Sequence, residues 1–280
     1  MRCAWQEFIR LLPLWMRTET DDLGKDNLQE LRLRMDKPPV LVCRGRTVQL
    51  QRNVQQEDMS FVINAASQYS PWATQTISSG YITAPGGHRI GICGEVAVNH
   101  GKFTGLRSAA SLCLRVARDF PGVGESVRDM AGSILIIGPP GSGKTTLLRD
   151  IIRQRGDSGQ GSVAVLDERG EIFPLIQGKS CFESGMHTDI LSGCGKEDGL
   201  DMLLRTMNPR WIAVDEITRQ EDTIALRSAG WCGVHLLATA HAASKSDFLA
   251  RPVYRQLVLD RLFDHLLVLD REKSWRAERI

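Results

Sequence analysis

Long apolar runs are missing from this 280-residue chain. A membrane-spanning helix needs roughly 20 consecutive apolar residues, whereas the N-terminal stretch from Trp5 to Met16 is interrupted by Glu7, Arg10 and Pro13. The expectation is a cytoplasmic protein with no span and no export signal. A cysteine framework is missing too. The seven cysteines, at 3, 43, 93, 113, 181, 194 and 232, are odd in number and hold no C-x-x-C pair, which argues against zinc or a redox dithiol and fits reduced thiols. Charge of one sign is scarce: the net is +2, with 15 basic and 11 acidic side chains in residues 1–120 and 20 against 22 in the rest. So small and dispersed an excess excludes a convincing nucleic-acid footprint, although it suits an acidic partner or a lipid surface. Repeats, low-complexity tracts and coiled-coil heptads are absent as well.

What is present is a 42% hydrophobic composition, enough to bury the core of one large or two modest domains. The two halves differ in pattern. From Leu28 to Arg118 short alternating runs recur (LQELRLR, PPVLVC, TVQL, GYITA, HRIGICGEVAV, SLCLRVA), with a helical segment near Asp58 to Tyr69, which predicts a small α+β domain over 1–120. The glycine-rich, charged stretch DFPGVGESVRDMAG predicts a linker at 121–132. Beyond it, apolar runs without alternation (SILIIG, VAVL, WIAVD, VHLLAT, HLLVL) are separated by helical stretches such as TTLLRDIIRQ and DGLDMLLRTM. Strands buried on both faces read this way, so an α/β domain with a mostly parallel sheet is expected over 133–280.

Residues 138–145 read GPPGSGKT, a match to G-x-x-x-x-G-K-[ST] placed between a strand and an amphipathic helix. Gly138, Pro139, Pro140, Gly141, Ser142 and Gly143 form a loop whose backbone N–H groups can wrap a phosphate chain at a helix N-terminus. Lys144 is the expected β/γ-phosphate contact, Thr145 the hydroxyl for Mg²⁺, and Thr146 a further phosphate contact. The expected ligand set is ATP with Mg²⁺, although the loop itself does not name the base.

WIAVDEI puts Asp215 and Glu216 at the C-terminal end of an apolar strand, where open α/β sheets bind ligands. Asp215 is the candidate for the magnesium shell, and Glu216 for the base that orients or deprotonates water. VAVLDERGEI places Asp167, Glu168 and Glu171 at a second strand end, and VHLLATAH ends on Thr239 and His241, where a histidine can report the γ-phosphate. His235, inside that apolar run, is expected in the core. SKSD at Ser244 to Asp247 loosely matches the guanine-reading N/T-K-x-D motif, with Ser in first position.

Together these segments resemble the secretion-ATPase superfamily of type II and type IV secretion and pilus assembly, and within it the stage III sporulation AA family of endospore-forming bacteria. The resemblance runs from about Leu28 to Asp270, through LQELRLRMDKPP, GGHRIGICGEV, MHTDILSGCGKEDGLDMLLRTMNPRWIAVDEITRQEDT and GVHLLATAH. It implies a RecA-like ATPase domain, an Asp box at LDERGEI with Glu168 in a catalytic role, and a His box ending at His241. Many members carry Gly-Glu where this chain has Asp215-Glu216, and Glu-Ile-Arg-Asp where it has Glu216, Ile217, Thr218 and Arg219. The resemblance also implies a homo-hexamer in which a mobile N-terminal domain lends arginines to the nucleotide. Arg89 and Arg115 match those positions and Arg107 is a third candidate; by alternation Arg89 faces away from Ile90 and Ile92, and Arg115 from Leu114 and Val116. Implied partners are membrane proteins of a sporulation secretion-like complex, reached from the mother-cell cytoplasm at the inner face of the membrane. The expected function is an ATP hydrolase that energises this complex; the alternatives are an ATP-binding assembly scaffold with little turnover and a GTPase or small-molecule kinase.

Overall fold

The alternating runs of the N-terminal part become strands of one antiparallel sheet in the computed structural model, which describes residues 1–68, 80–99 and 102–279, without the side chains of 99 and 102–104. The chain divides into two units, Met1–Asp119 with Ile176–Cys181, and Phe120–Leu175 with Phe182–Ile280.

In the first unit, helices α1 (Trp5–Arg10) and α2 (Leu14–Leu23) precede strands β1 (Leu28–Arg34), β2 (Val40–Cys43) and β3 (Arg46–Gln49). Helix α3 (Gln56–Ser67) and strands β4 (Tyr81–Ala84), β5 (His88–Asn99) and β6 (Lys102–Arg115) follow. The sheet order is β3-β2-β1-β6-β5-β4, and all five pairings are antiparallel. The interrupted Trp5 to Met16 stretch is two helices because Pro13, fixed in φ and lacking an N–H, stands where the second begins. Helix α3 starts two residues before the expected Asp58, and Tyr69 lies outside the described residues. The Asp58 carboxylate caps α3 by accepting Gln55 N–H at 2.9 Å and also takes the Trp15 indole N–H at 2.8 Å. Leu31, Leu33, Leu41, Ile90, Leu112 and Leu114 pack with Phe8, Met59 and Val62 into the core of this unit.

The second unit contains β7 (Ile134–Gly138), α4 (Lys144–Asp157) and β8 (Val163–Asp167); the short strands β9 (Leu175–Ile176) and β10 (Lys179–Ser180) follow in sequence, with Ile176 and all of β10 counted in the first unit. The second unit continues with β11 (Thr188–Ser192), α5 (Lys196–Met207), β12 (Trp211–Ile217), α6 (Gln220–Trp231) and β13 (His235–His241). Helices α7 (Lys245–Ala250) and α8 (Pro252–Leu259) and strands β14 (His265–Leu269) and β15 (Trp275–Glu278) complete it. The order β11-β8-β12-β13-β7-β14-β15 is parallel up to β14, and only β15 runs antiparallel. This is the expected α/β class, with the antiparallel α+β unit before it. All five residues of β7 and of β8 are buried: Leu135 and Ile137 face the side packed by α5, α6 and α8, while Ile134 and Ile136 face α4. Coverage of both faces is why these strands lack alternation.

His235 is half-buried at the start of β13, its ring 6.2 Å from that of Trp211, so the expectation of a core histidine is corrected. It is the first residue of its strand, one step outside the covered part of the sheet. Ser244 caps α7 by accepting Asp247 N–H at 3.1 Å, which gives the Ser244 to Asp247 match a local structural role. The parallel order places the C-terminal ends of β7, β8, β12 and β13 on one edge of the sheet, and with them the phosphate loop, Asp167, Asp215 and His241.

Candidate nucleotide site

The loop from β7 to α4 is shaped by its glycines. A Cβ on Gly138 would lie 2.6 Å from Ser142 Oγ and 2.9 Å from the Leu269 carbonyl oxygen, closer than packed atoms allow. Gly141 and Gly143 hold φ of 78° and 95°, the left-handed region that side chains disfavour. Helix α4 then opens at Lys144 with no side-chain cap, so its first-turn N–H groups are available to an anion.

Lys144, 5% exposed, bridges three acceptors: the Gly138 and Pro139 carbonyls, both at 3.0 Å, and His241 Nδ1 at 3.1 Å. Burial pushes its pKa below the usual lysine value, against the pull of Asp215 and Glu216. An ammonium can only donate, so Nδ1 accepts and the proton of neutral His241 sits on Nε2. That nitrogen donates to Glu216 Oε1 at 3.1 Å. Lys144, His241 and Glu216 thus form one chain of hydrogen bonds from the phosphate loop to the acidic strand end. The other Glu216 oxygen is 3.3 Å from Arg169 Nη1. Glu216 has φ 51° and sits at the irregularity where β12 slips against β13 between Val214 and Ile217. Its N–H donates to Thr239 Oγ1 at 2.9 Å, and the Thr239 hydroxyl donates in turn to Asp215 Oδ1. Asp215 Oδ2 accepts from Thr145 Oγ1 at 2.7 Å.

The second acidic strand end divides its labour. Asp167 is buried and accepts the N–H groups of Glu171, Ile172 and Phe173 at 2.8, 3.0 and 2.8 Å. Burial raises its pKa despite those hydrogen bonds, and it acts as the loop's anchor. Glu168 faces the cleft and accepts Lys196 Nζ at 2.8 Å; Lys196 also lies 3.9 Å from Asp222. Asp167, Glu168, Glu171, Asp215, Glu216 and Asp222 line this cleft together with Arg169, Lys196 and Arg219. Lys196, Arg169 and Asp222 were not singled out from the sequence. A signal existed for one of them: Lys196 opens α5, where a cation opposes the helix dipole, a placement that calls for nearby carboxylates.

Lys144, Thr145, Asp215, Glu216 and His241 therefore come into contact, with Glu168 across the same cleft. Gly138, Pro139, Pro140, Gly141, Ser142 and Gly143 form the loop, and Thr146 lies in the first turn of α4. Arg89 and Arg115 belong to the first unit, where they are direct cross-strand partners on β5 and β6. The Arg89 guanidinium lies 4.4 Å from the Tyr81 ring centre, and Arg115 Nε is 3.9 Å from Glu30. Arg107 is exposed on β6.

Comparison with known proteins bears on the family and the fold. The chain is 36% identical to "Stage III sporulation protein AA" of Bacillus subtilis (strain 168), over 96% of this chain and 92% of that one. Among solved structures, the ATPase DotB of Legionella pneumophila superposes with a TM-score of 0.60 at 18% identity, covering 96% of this chain and 80% of that chain. The pilus retraction motor PilT, solved with ADP, gives 0.61 at 17% identity, covering 90% and 76%. At such identities these two show a shared fold. The family model described as "Sporulation stage III, protein AA" matches residues 5–277, and the chain belongs to that family.

Proposed function

We propose that this chain is a Mg²⁺-dependent ATP hydrolase of the secretion-ATPase type. The observation that carries the reading is the continuous contact from Lys144 through His241 to Glu216, beside the Thr145–Asp215 pair. Thr145 and Asp215 are hard oxygen donors 2.7 Å apart at the end of the loop, a donor set that fits magnesium. When bound, magnesium supplies neutralising charge to the phosphate oxygens.

The chain's own residues do the rest. Lys144 exchanges the Gly138 and Pro139 carbonyls for phosphate oxygens, which also releases His241 Nδ1. His241 holds the Glu216 carboxylate through Nε2 and so ties the base to the presence of phosphate at Lys144. Glu216 accepts the proton of the attacking water, and Glu168, held by Lys196, is the second carboxylate facing that space. Arg89, Arg115 or both supply cationic stabilisation through domain closure or across a subunit interface of a homo-hexamer. In the cell the cycle energises a secretion-like complex at the membrane between mother cell and forespore, and its partners are membrane proteins met at the cytoplasmic face.

One observation favours a second reading, an ATP-dependent scaffold with little turnover: both Glu216 oxygens are already engaged, by His241 and Arg169. Phosphate release by the full chain, with and without Mg²⁺, separates the two. Magnesium-dependent release supports the hydrolase; ATP binding without release, free and membrane-bound, supports the scaffold. Mass measured with and without Mg-ATP tests the hexamer.

A further inference from the structure

The edge of the parallel sheet opposite the phosphate loop holds a cavity of its own. Trp211, His235 and His265 are the first residues of β12, β13 and β14, and Trp211 and His235 are direct partners across their strands. Strand alternation puts the three on the face of Ala213, Leu237 and Leu267, the one packed by α4. Arg155 reaches the same place from the last turn of α4, and residues 128–132, ahead of β7, close a further side. The cavity is open to solvent and encloses about 1140 Å³, room for a small organic ligand.

Positive charge is left uncompensated at its wall. Arg155, 7% exposed, donates to the carbonyls of Arg128, at 2.7 Å, and of Met130. Arg210 lays its guanidinium 4.7 Å from the centre of the Trp211 ring and donates to the Gln160 carbonyl at 2.6 Å. Among the described residues, then, both guanidiniums are hydrogen-bonded to neutral carbonyls alone. Burial lowers the Arg155 pKa, Asp129 opposes the fall and Arg210 adds to it. Of the two carboxylates lining the cavity, Asp264 is engaged by the Ser133 N–H at 2.7 Å, and Asp129 is exposed to water.

Two polar atoms of the lining residues also lack a partner. Arg155 Nε and the indole Nε1 of Trp211, itself 3% exposed, are buried without a hydrogen bond. A buried donor left unpaired bears its full desolvation cost, and a buried charge bonded only to neutral groups calls for a counter-charge. Both orphan atoms are donors, so the missing partner brings oxygen. The uncompensated guanidiniums require that this oxygen be anionic.

We infer that this cavity binds a small oxyanion ligand, bearing phosphate or carboxylate, through Arg155 and the Trp211 indole N–H, with exposed Arg210 as the second cation. The site stands apart from the nucleotide reading. It shares no residue with the phosphate loop and lies at the other end of α4, about 16 Å along the helix from Lys144.

The test uses the full chain carrying Lys144→Ala, so that the phosphate loop contributes no lysine. Calorimetry titrates it with inorganic pyrophosphate and, separately, with citrate, at about 0.15 M salt to screen diffuse attraction. Saturable binding is expected, and the tighter probe tells phosphate from carboxylate. Trp211→Phe in the same background keeps a ring and removes the N–H; it should weaken the bound probe about 10-fold, the scale of one charge-assisted hydrogen bond. Its urea midpoint should not fall on account of that N–H, because the lost donor had no partner in the unliganded chain. Arg210→Gln, at an exposed position with little folding risk, should weaken binding by a similar factor. Absence of saturable binding of both probes at millimolar concentration would overturn the site and leave water as the partner of the two donors. Affinity unchanged in Arg210→Gln and Trp211→Phe would place the bound anion elsewhere and overturn it equally.

Discussion

Among the described residues Lys144 donates to neutral acceptors alone, two carbonyls and an imidazole nitrogen, although its surroundings include two carboxylates. Burial has already weakened its hold on the proton, and a polyphosphate would supply the counter-charge it lacks. Lys144→Ala should therefore abolish measurable ATP binding while the thermal midpoint stays close to wild type; binding retained in the micromolar range, read by calorimetry, would remove Lys144 from the site. Lys196 makes the opposite case. It is a buried ammonium whose partners are fixed at Glu168 and Asp222, and Lys196→Met leaves those carboxylates facing each other across the cleft. Loss of about 1 to 3 kcal/mol is expected in urea unfolding, and an unchanged midpoint would show that the pair is dispensable. These two lysines also mark what the sequence discloses at this scale. Lys144 lies in a spacing that only a phosphate loop requires, whereas Lys196 is one charged residue at the start of an amphipathic helix. Its meaning depends on β8 and α6 meeting there, a tertiary fact that no local pattern carries.

At the scale of elements, the parallel strands were legible because burial on both faces leaves an unbroken apolar run, as in ILIIG and VAVLD. Helices α1 and α2 were not, since Pro13 and the charges of Glu7 and Arg10 mask the pairing of Phe8, Ile9, Leu12 and Met16 with the first unit's core. The stretch expected as a linker carries its own message in Gly122 and Gly124, which read as flexibility and in fact admit Asp150 to their backbone N–H groups. Helix α4 is thereby both the floor of the phosphate loop and the clamp on the segment before it.

A buried histidine ties α1 to the sheet in the same manner. His88 Nδ1 accepts Ala117 N–H at 3.0 Å, so its Nε2 proton goes to the Ala4 carbonyl at 3.0 Å, and burial lowers its pKa from 6.5. Below that value the unfolded chain takes up a proton that folded His88 refuses, so stability must fall as pH drops from 6.5 toward the folded pKa. The slope from this one group is at most about 1.4 kcal/mol per pH unit. Urea midpoints between pH 7 and 5 should decline in wild type and flatten in His88→Gln; equal slopes would place the acid sensitivity elsewhere.

At the scale of the whole molecule, the proposed chemistry and the proposed trigger lie in different units. The phosphate loop, Asp215, Glu216 and His241 belong to the second, while Arg89 and Arg115 stand side by side on β5 and β6 of the first. No helix among the described residues is long and apolar enough to cross a membrane. If the arginines reach the nucleotide by closure or from a neighbouring copy, Arg89→Ala or Arg115→Ala in the full chain should cut turnover by about 10³-fold or more with ATP affinity intact; wild-type turnover in both would return them to the surface. The central claim, that Glu216 is the base of a hydrolase, is tested most directly by Glu216→Gln, which keeps the size of the side chain and removes its proton affinity. ATP binding and steady-state phosphate release measured on the same preparation should show affinity unchanged and turnover lowered about 10²- to 10⁴-fold, whereas turnover equal to wild type would contradict the account.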